Sequence, residues 1–341
     1  MVINLGGRQG SNKYMHKAKR GKYDEFYTIL SDIEKELRHY KKHFKNKTVL
    51  CNCDDPRVSN FFHYFSYNFE QLGLKKLITT CYKNQQMELF STHDSERAIW
   101  LEYNGDKNKI PDPSEIGLHH FEKDGDFRSE ECIEILKQSD IIVTNPPFSL
   151  FRQYVAQLIE YNKKFLIIGN WNAVSYREIF KLIKQNKTWI GVNSNRNFSG
   201  FIVPKHYPLH GTEARVDENG NRIVSSNNNC WFTNLDVKKR HEDLICHKKY
   251  DPLEYPTFDN YDAINVDKTN DIPVDYKGKI AVPITFMNKY NPKQFDIIDG
   301  IGRYSFLEGP TSATRGKYLT EIGDKRIYAR IIVKHKKQKH K

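Results

Sequence analysis

The chain reads as an α/β protein with a mostly parallel, doubly wound sheet, extended by a mixed or β-rich C-terminal region. Three observations lead there. Between residues 47 and 192, short runs rich in Val, Ile, Leu and Thr alternate with segments of helical periodicity. Beyond about residue 193 the rhythm stops, and prolines at 252, 256, 273, 283 and 292 punctuate short apolar runs with no clear helix. The length of 341 residues suits two domains or one core plus an elaborated region, and 38% hydrophobic content can fill them.

The first 22 residues set Gly6, Gly7 and Ser11 among Lys13, His16, Lys17, Lys19 and Arg20, the composition of a flexible basic arm. A helix is expected from about Asp24 to His43. KTVLCN (47–52) is expected as a strand, FFHYFSYNFEQLG as a helix, and LKKLITTCY (74–82) and AIWLEY (98–103) as two more strands. A short helix at 131–138 leads to the strand DIIVTN (140–145), the helix SLFRQYVAQLIEY (149–161) and the strand KFLIIGN (164–170). NAVSYREIFKLIKQ (172–185) reads as a helix and TWIGV (188–192) as a strand. Strand, helix and strand repeated in this way indicate βαβ units. Residues 205–229 are polar and rich in turn formers, expected as a loop ahead of the strand CWFTNL (230–235).

The 54 Lys+Arg against 42 Asp+Glu leave a net charge of +12, which raises encounter rates with polyanions and also serves solubility. No run of 18 apolar residues is present, so no membrane span is expected, and the N-terminus has no apolar core of a secretory signal. The six cysteines are too sparse for a disulfide framework and read as reduced thiols of a cytoplasmic protein. Cys51 and Cys53 alternate along the first strand and should point the same way. Without a second Cys or His pair at ligand spacing, no metal is expected. His119-His120 reads as an exposed turn.

One tetrapeptide carries chemistry: Asn145-Pro146-Pro147-Phe148, directly after a strand. Ligands of open α/β sheets bind beyond the carboxyl ends of strands, where this segment falls. A residue before proline is held out of the α region, so Asn145 and Pro146 are both extended. The Asn145 side-chain oxygen and the Pro146 carbonyl then point in set directions. Two such acceptors can take both hydrogens of a planar amino group, drawing its lone pair out of conjugation and making the nitrogen nucleophilic. Phe148 offers a face on which a base can stack, and a duplex base reaches such a pocket only by flipping out. The plain alternative is a Pro-Pro turn into a helix.

A methyl donor needs its own pocket. After the first strand, Asp54 and Asp55 could hold an ammonium or ribose hydroxyls, although a DDP turn is also a common helix start. Asp126 could accept from an adenine amino group with Phe127 beside the ring, or FEKDGDF could be a surface turn. DEFYT (24–28) reads equally as a helix N-terminus with favourable acidic charge.

HKAKR with DEFYT, CNCDDPRVSNFF, LGLKKLI, TNPPFSLFRQYV, IIGNWN, CWFTNLD and PITFMNKYNPKQFDIIDG together resemble the EcoRI-type adenine-specific DNA methyltransferases. The resemblance implies a class I, Rossmann-like fold and an S-adenosyl-L-methionine-dependent enzyme that makes N6-methyladenine in double-stranded DNA, leaving S-adenosyl-L-homocysteine. Carried over by position, Phe26, Tyr27 and Thr28 line the methionine end of the cofactor, Cys53, Asp54 and Asp55 form its first-strand site, and Asp126 and Phe127 its adenine end. Asn145, Pro146, Pro147 and Phe148 hold the target base. Two departures stand out: no glycine occurs between 22 and 72, and the second strand ends without an acid for the ribose. The implied organisation is an arm at 1–22, a catalytic domain at 23–240 with the 205–229 insertion, and a recognition region at 241–341. Arg196, Asn197, Lys205, Arg215, Lys238, Lys239 and Arg240 are candidates for DNA contact, as base readers or phosphate contacts. The name-giving member modifies the inner adenine of GAATTC. A monomer is expected, serving beside a cognate endonuclease without a stable complex. The alternatives are methylation of another planar amine or amide, such as cytosine N4 or protein glutamine, and an inactive DNA-binding relative.

Overall fold

The computed structural model describes residues 26–53, 55–82, 98–105, 111–194, 198–203, 214–224, 228–312 and 316–336. They fall into two compact units. The first holds the described residues up to Trp171 and those of Asn193–Leu235; the second holds Asn172–Val192 and those from Asp236 onward.

In chain order the first unit contains β1 (Tyr27–Thr28), α1 (Leu30–Leu37), β2 (Thr48–Asn52), α2 (Asn60–Tyr67), α3 (Phe69–Leu72), β3 (Lys76–Cys81) and β4 (Ile99–Tyr103). There follow α4 (Pro113–Ile116), β5 (His119–His120), α5 (Glu130–Gln138), β6 (Ile141–Thr144), α6 (Phe151–Glu160) and β7 (Lys164–Asn170). After α7 (Arg177–Lys184) of the second unit comes β8 (Trp189–Ser194), whose last two residues return to the first. Then come β9 (Phe201–Val203), β10 (Arg215–Val216), β11 (Arg222–Val224) and β12 (Asn229–Thr233).

The main sheet has the order β5-β4-β3-β2-β6-β7-β12-β8. Its centre, β3-β2-β6-β7, is parallel, and every residue of β2 and β6 is buried, as a sheet covered on both faces requires. The flanks differ from the mostly parallel expectation: β4, β5 and β12 all run antiparallel to their inner neighbours. Apolar periodicity reports that a segment is a strand but carries no sign for its direction. The two histidines of β5 are exposed, as expected, but extended and paired with Ile99 and Trp100 rather than in a turn.

From β2 the chain moves outward to β3 and β4, then returns to β6 on the other side of β2. Strand order therefore reverses between β2 and β6, the place where open α/β sheets receive ligands. The Thr144 hydroxyl donates to the Asn52 carbonyl and ties the two carboxyl ends together.

Local departures from expectation have local causes. The first helix begins at Leu30 instead of 24, because Tyr27 and Thr28 are extended and pair with Ile202 and Phe201 of β9. The expected helix over 172–185 is split into a single tight turn at Trp171–Ser175 and then α7. Part of the stretch expected as a loop is a hairpin of β10 and β11, joined to β9. Its turn is organised by Asp217, whose carboxylate accepts from the backbone of Asn219 and Asn221 at 3.0 and 2.8 Å. Ser59 and Ser129 cap α2 and α5 from their side chains, and Glu130 and Glu131 complement the α5 dipole.

The second unit carries a sheet of order β13-β14-β18-β15, formed by β13 (Ile264–Asn265), β14 (Ile280–Pro283), β15 (Phe295–Ile301) and β18 (Arg330–His335). Between β15 and β18 lies the hairpin of β16 (Glu321–Ile322) and β17 (Lys325–Arg326). Phe258, Ala263, Ala281, Ile301 and Ile332 form an apolar cluster. Among the described residues no α-helix follows residue 241, in keeping with the proline-punctuated sequence.

Candidate functional site

Beyond β6 the chain stays extended through Asn145, Pro146 and Pro147, which has φ −54° and ψ 123°, before one tight turn at Phe148–Leu150 opens α6. Asn145 is 8% exposed. Its Nδ2 donates to the Phe26 carbonyl at 2.8 Å. That bond orients the carboxamide and leaves Oδ1 buried, with no hydrogen-bond partner among the described residues. A buried acceptor without a donor costs about 1–3 kcal/mol, so the site holds an acceptor ready for a ligand's N–H.

Phe148 is half-buried. Its ring lies 6.3 Å from Phe26 and 6.3 Å from Phe201, which are themselves 5.9 Å apart. Phe201 is held from behind: two residues earlier, Ser199 donates its backbone N–H and hydroxyl to the buried Asp32 carboxylate of α1, at 2.6 and 2.8 Å. Thr28 is buried as well. Its carbonyl accepts from Asn60 Nδ2 at 2.8 Å, while its hydroxyl has no partner among the described residues. The structure thus sets the extended 26–28 segment directly beside NPPF, across 119 residues of sequence.

On the β2 side the strand stops at Asn52, and Cys53 turns left-handed with φ +77°. The expectation that Cys51 and Cys53 alternate along one strand is corrected here, since Cys53 lies past its end. A side-chain-bearing residue in that conformation is strained by roughly 1–2 kcal/mol, and it stands where a glycine would turn the backbone freely. Asn52 Oδ1 accepts from the hydroxyl of Tyr154. Burial pushes the Tyr154 phenol well above its ordinary range and keeps it a donor. Phe127, 7% exposed, meets Tyr154 edge-on at 5.0 Å, so the 52–53 and 126–127 segments flank one buried tyrosine.

The two described acids are both clamped. Asp55 binds Arg57 through Nη2 at 2.6 Å and Nε at 3.0 Å. Asp126 binds Arg128 likewise, at 2.6 and 2.8 Å, and that guanidinium holds its carboxyl below the usual carboxylate range. The Asp126 turn presses on the end of β3: a Cβ on Gly125, at φ +72°, would lie 2.7 Å from the Cys81 carbonyl. Asp54 lies outside the described residues.

Of the candidates for DNA contact, Arg196, Asn197 and Lys205 also lie outside the described residues. Arg215 donates to the Ser199 carbonyl at 2.8 Å. Lys239 donates to the Val192 carbonyl at 2.7 Å, and the Arg240 guanidinium sits 3.8 Å above the Trp189 ring while donating to Asn186 at 2.7 Å. Lys238 is exposed. Among the described residues no three His, Cys, Asp or Glu side chains form a metal cluster, and no helix is long and apolar enough to cross a membrane. Sequence reasoning missed Asn52, Asn60, Tyr154 and Phe201. Asn60 and Tyr154 lie in helices and Asn52 at the end of a strand, with no spacing that distinguishes them.

Residues 14–336 match the family described as adenine-specific methyltransferase EcoRI. The chain is 53% identical over 332 residues to the Type II methyltransferase M.EcoRI of Escherichia coli, covering 97% of this chain and 98% of that protein. It is 39% identical over 333 residues to the Type II methyltransferase M.MgeORF184P of Mycoplasma genitalium (94% and 98%) and 38% over 334 to M.MpnI of Mycoplasma pneumoniae (95% and 98%). No solved structure matches.

Proposed function

The chain belongs to the EcoRI family of adenine-specific methyltransferases, and from that premise we propose that the pocket at the β2–β6 edge methylates N6 of an adenine flipped out of duplex DNA. The buried Asn145 Oδ1, without a hydrogen-bond partner among the described residues, is the observation that carries this reading. An acceptor locked in place by the Phe26 carbonyl suits one hydrogen of the N6 amino group, and the Pro146 carbonyl suits the other. With both hydrogens engaged, the nitrogen lone pair leaves ring conjugation. Phe148 stacks on the base, with Phe26 and Phe201 behind it. Holding the amine on line with the methyl carbon supplies much of the rate. No residue need act as a separate base, because the nitrogen's proton becomes acidic on methylation.

S-adenosyl-L-methionine, when bound, supplies a methyl group on sulfonium, and S-adenosyl-L-homocysteine is the product. The residues present fit it: the buried Thr28 hydroxyl lacks a partner among the described residues, and the left-handed Cys53 turns the chain sharply at the strand-order reversal. Phe26, Tyr27 and Thr28 would hold its methionine end. Cys53, Asp54 and Asp55 would hold its middle, and Asp126 and Phe127 its adenine. No metal takes part. The parallel β3-β2-β6-β7 centre supports the class I, Rossmann-like assignment.

DNA is the substrate. Arg196, Asn197, Lys205, Lys238, Lys239 and Arg240 and the region from 241 onward supply recognition, at GAATTC or a related site. The enzyme works in the cytoplasm as a monomer, the modification half of a restriction–modification pair, without a stable complex with its endonuclease. Incubation with S-adenosyl-L-methionine and mixed-sequence duplex DNA, followed by nucleoside mass spectrometry, tests this reading. N6-methyladenine is expected. N4-methylcytosine would overturn the base assignment, and calorimetry showing no cofactor binding would point to an inactive relative.

A further inference from the structure

The loop from β2 to α2 holds a cation that the reaction as described so far leaves without a task. Arg57 follows Asp55 and Pro56, just ahead of the helix that starts at Asn60. Its Nε donates to the two Asp55 oxygens at 3.0 and 3.2 Å, and its Nη2 donates to one of them at 2.6 Å. The Arg57 backbone N–H adds a further bond to the same carboxylate at 2.9 Å. The Asp55 side chain is only 9% exposed, whereas that of Arg57 is 29% exposed. Nη1 has no hydrogen-bond partner among the described residues. The guanidinium is thus gripped along one edge by a buried acid and keeps its other edge for a ligand. Fixing a long side chain in this way removes rotamer freedom before any ligand arrives.

Three elements converge on this loop. β2 pairs in parallel with β3, Asn52 opposite Thr80, so the chain leaving β2 starts level with Cys81. Asn60 Nδ2 donates to the Thr28 carbonyl at 2.8 Å and ties the 26–28 segment to the start of α2. On that segment the Thr28 hydroxyl is buried and has no partner among the described residues. Hydrogen bonding to Asp55 raises the Arg57 guanidinium above its ordinary value against the opposing effect of burial. The Cys81 thiol and the Tyr27 phenol act in the same direction as Asp55, so both stand within electrostatic reach.

Charge selects among the groups of the cofactor. S-adenosyl-L-methionine carries two cationic groups, the sulfonium and the ammonium, and one anionic group, the carboxylate. A guanidinium repels the first two. It has donors and no acceptor, which suits a carboxylate and makes the hydrogen bond charge-assisted. The 26–28 segment beside Arg57 is the one assigned above to the methionine end, where that carboxylate belongs.

We infer that Arg57 binds the carboxylate of S-adenosyl-L-methionine through Nη1, and that Asp55 is the positioning residue that holds the guanidinium for it. The inference rests on the cofactor reading above and adds a binding residue to it.

The test compares S-adenosyl-L-methionine with its decarboxylated form, which keeps the adenosine, the sulfonium and the amino group. Dissociation constants are measured by calorimetry on the free enzyme for the wild type, Arg57→Ala and Arg57→Lys. The wild type should prefer the ligand with the carboxylate by about 10- to 100-fold, the range of a hydrogen bond to a charged group. In Arg57→Ala the preference should shrink to within about threefold, through loss of affinity for S-adenosyl-L-methionine alone. Arg57→Lys keeps a cation beside the buried Asp55 and should show an intermediate preference, because one ammonium has to serve two carboxylates. A preference unchanged in both variants overturns the assignment whatever the absolute affinities, since a merely structural Arg57 would weaken both ligands alike. Unchanged cofactor binding with weaker binding of duplex DNA overturns it as well and makes Arg57 a phosphate contact. If the wild type binds both ligands equally, the Arg57 assignment alone falls. If it binds neither, the cofactor reading itself falls.

Discussion

Replacing Asn145 by alanine separates a catalytic acceptor from a structural one. Two stability effects oppose each other. The variant loses the 2.8 Å bond to Phe26 and leaves that carbonyl without its donor, at about 1–3 kcal/mol. It also removes the buried Oδ1 that lacks a partner among the described residues, returning about 1–3 kcal/mol. The difference should lie within roughly 2 kcal/mol, and at about 2–4 °C per kcal/mol the melting temperature should move by less than about 8 °C. Catalysis has no such compensation. One preorganised hydrogen-bonding group is worth about 10²–10³ in kcat, and Asn145→Ala should lose at least that. Methyl transfer to duplex DNA is followed in single turnover, cofactor binding by calorimetry and unfolding by scanning fluorimetry. Turnover within threefold of wild type would refute the role of Oδ1. A parallel collapse of cofactor affinity and melting temperature would show that Asn145 only holds the fold.

Phe148→Ala should weaken methylation about tenfold to a hundredfold through lost base stacking, chiefly in KM for DNA; unchanged kinetics would take Phe148 out of the pocket. Cys53→Gly relieves a left-handed residue at φ +77°, a gain of about 1–2 kcal/mol set against about 0.5–1 kcal/mol of added chain freedom. Its denaturation midpoint should match or exceed wild type, and a clear loss would show that the thiol is needed there. Arg128 holds the Asp126 carboxyl below its ordinary range, so the pair's contribution to stability is present above the unfolded value near about pH 4 and fades as pH falls through the lower folded value. The stability difference between wild type and Asp126→Asn should stay level from neutral pH to about pH 5 and narrow in more acid solution; a difference constant down to about pH 2.5 would contradict the pairing. Asn60→Ala should leave the Thr28 carbonyl without its 2.8 Å donor and reduce cofactor affinity more than DNA affinity, which calorimetry and a DNA shift assay would separate.

Much of this protein is legible locally. The apolar runs of β2, β6 and β7 announce buried strands because a sheet covered on both faces leaves no polar side to them. Two consecutive prolines dictate an extended Asn145 whatever surrounds it, because ring geometry and the clash with the preceding residue act within the chain itself. The stop in helical periodicity near residue 193 agrees with the lack of any α-helix after Lys184 among the described residues. Tertiary structure decided the rest. Phe26-Tyr27-Thr28 has a sequence compatible with a helix start and becomes a strand only because β9 supplies a pairing edge. Strand direction in β4 and β12 has no local signature. The absent glycine loop is answered by Cys53 in a conformation its side chain disfavours, which only surrounding packing can impose. Proline geometry aims the Asn145 side chain, but which of its two polar atoms remains for a ligand depends on a carbonyl 119 residues away. Local chemistry sets the direction of a group, and only the assembled fold determines what it meets.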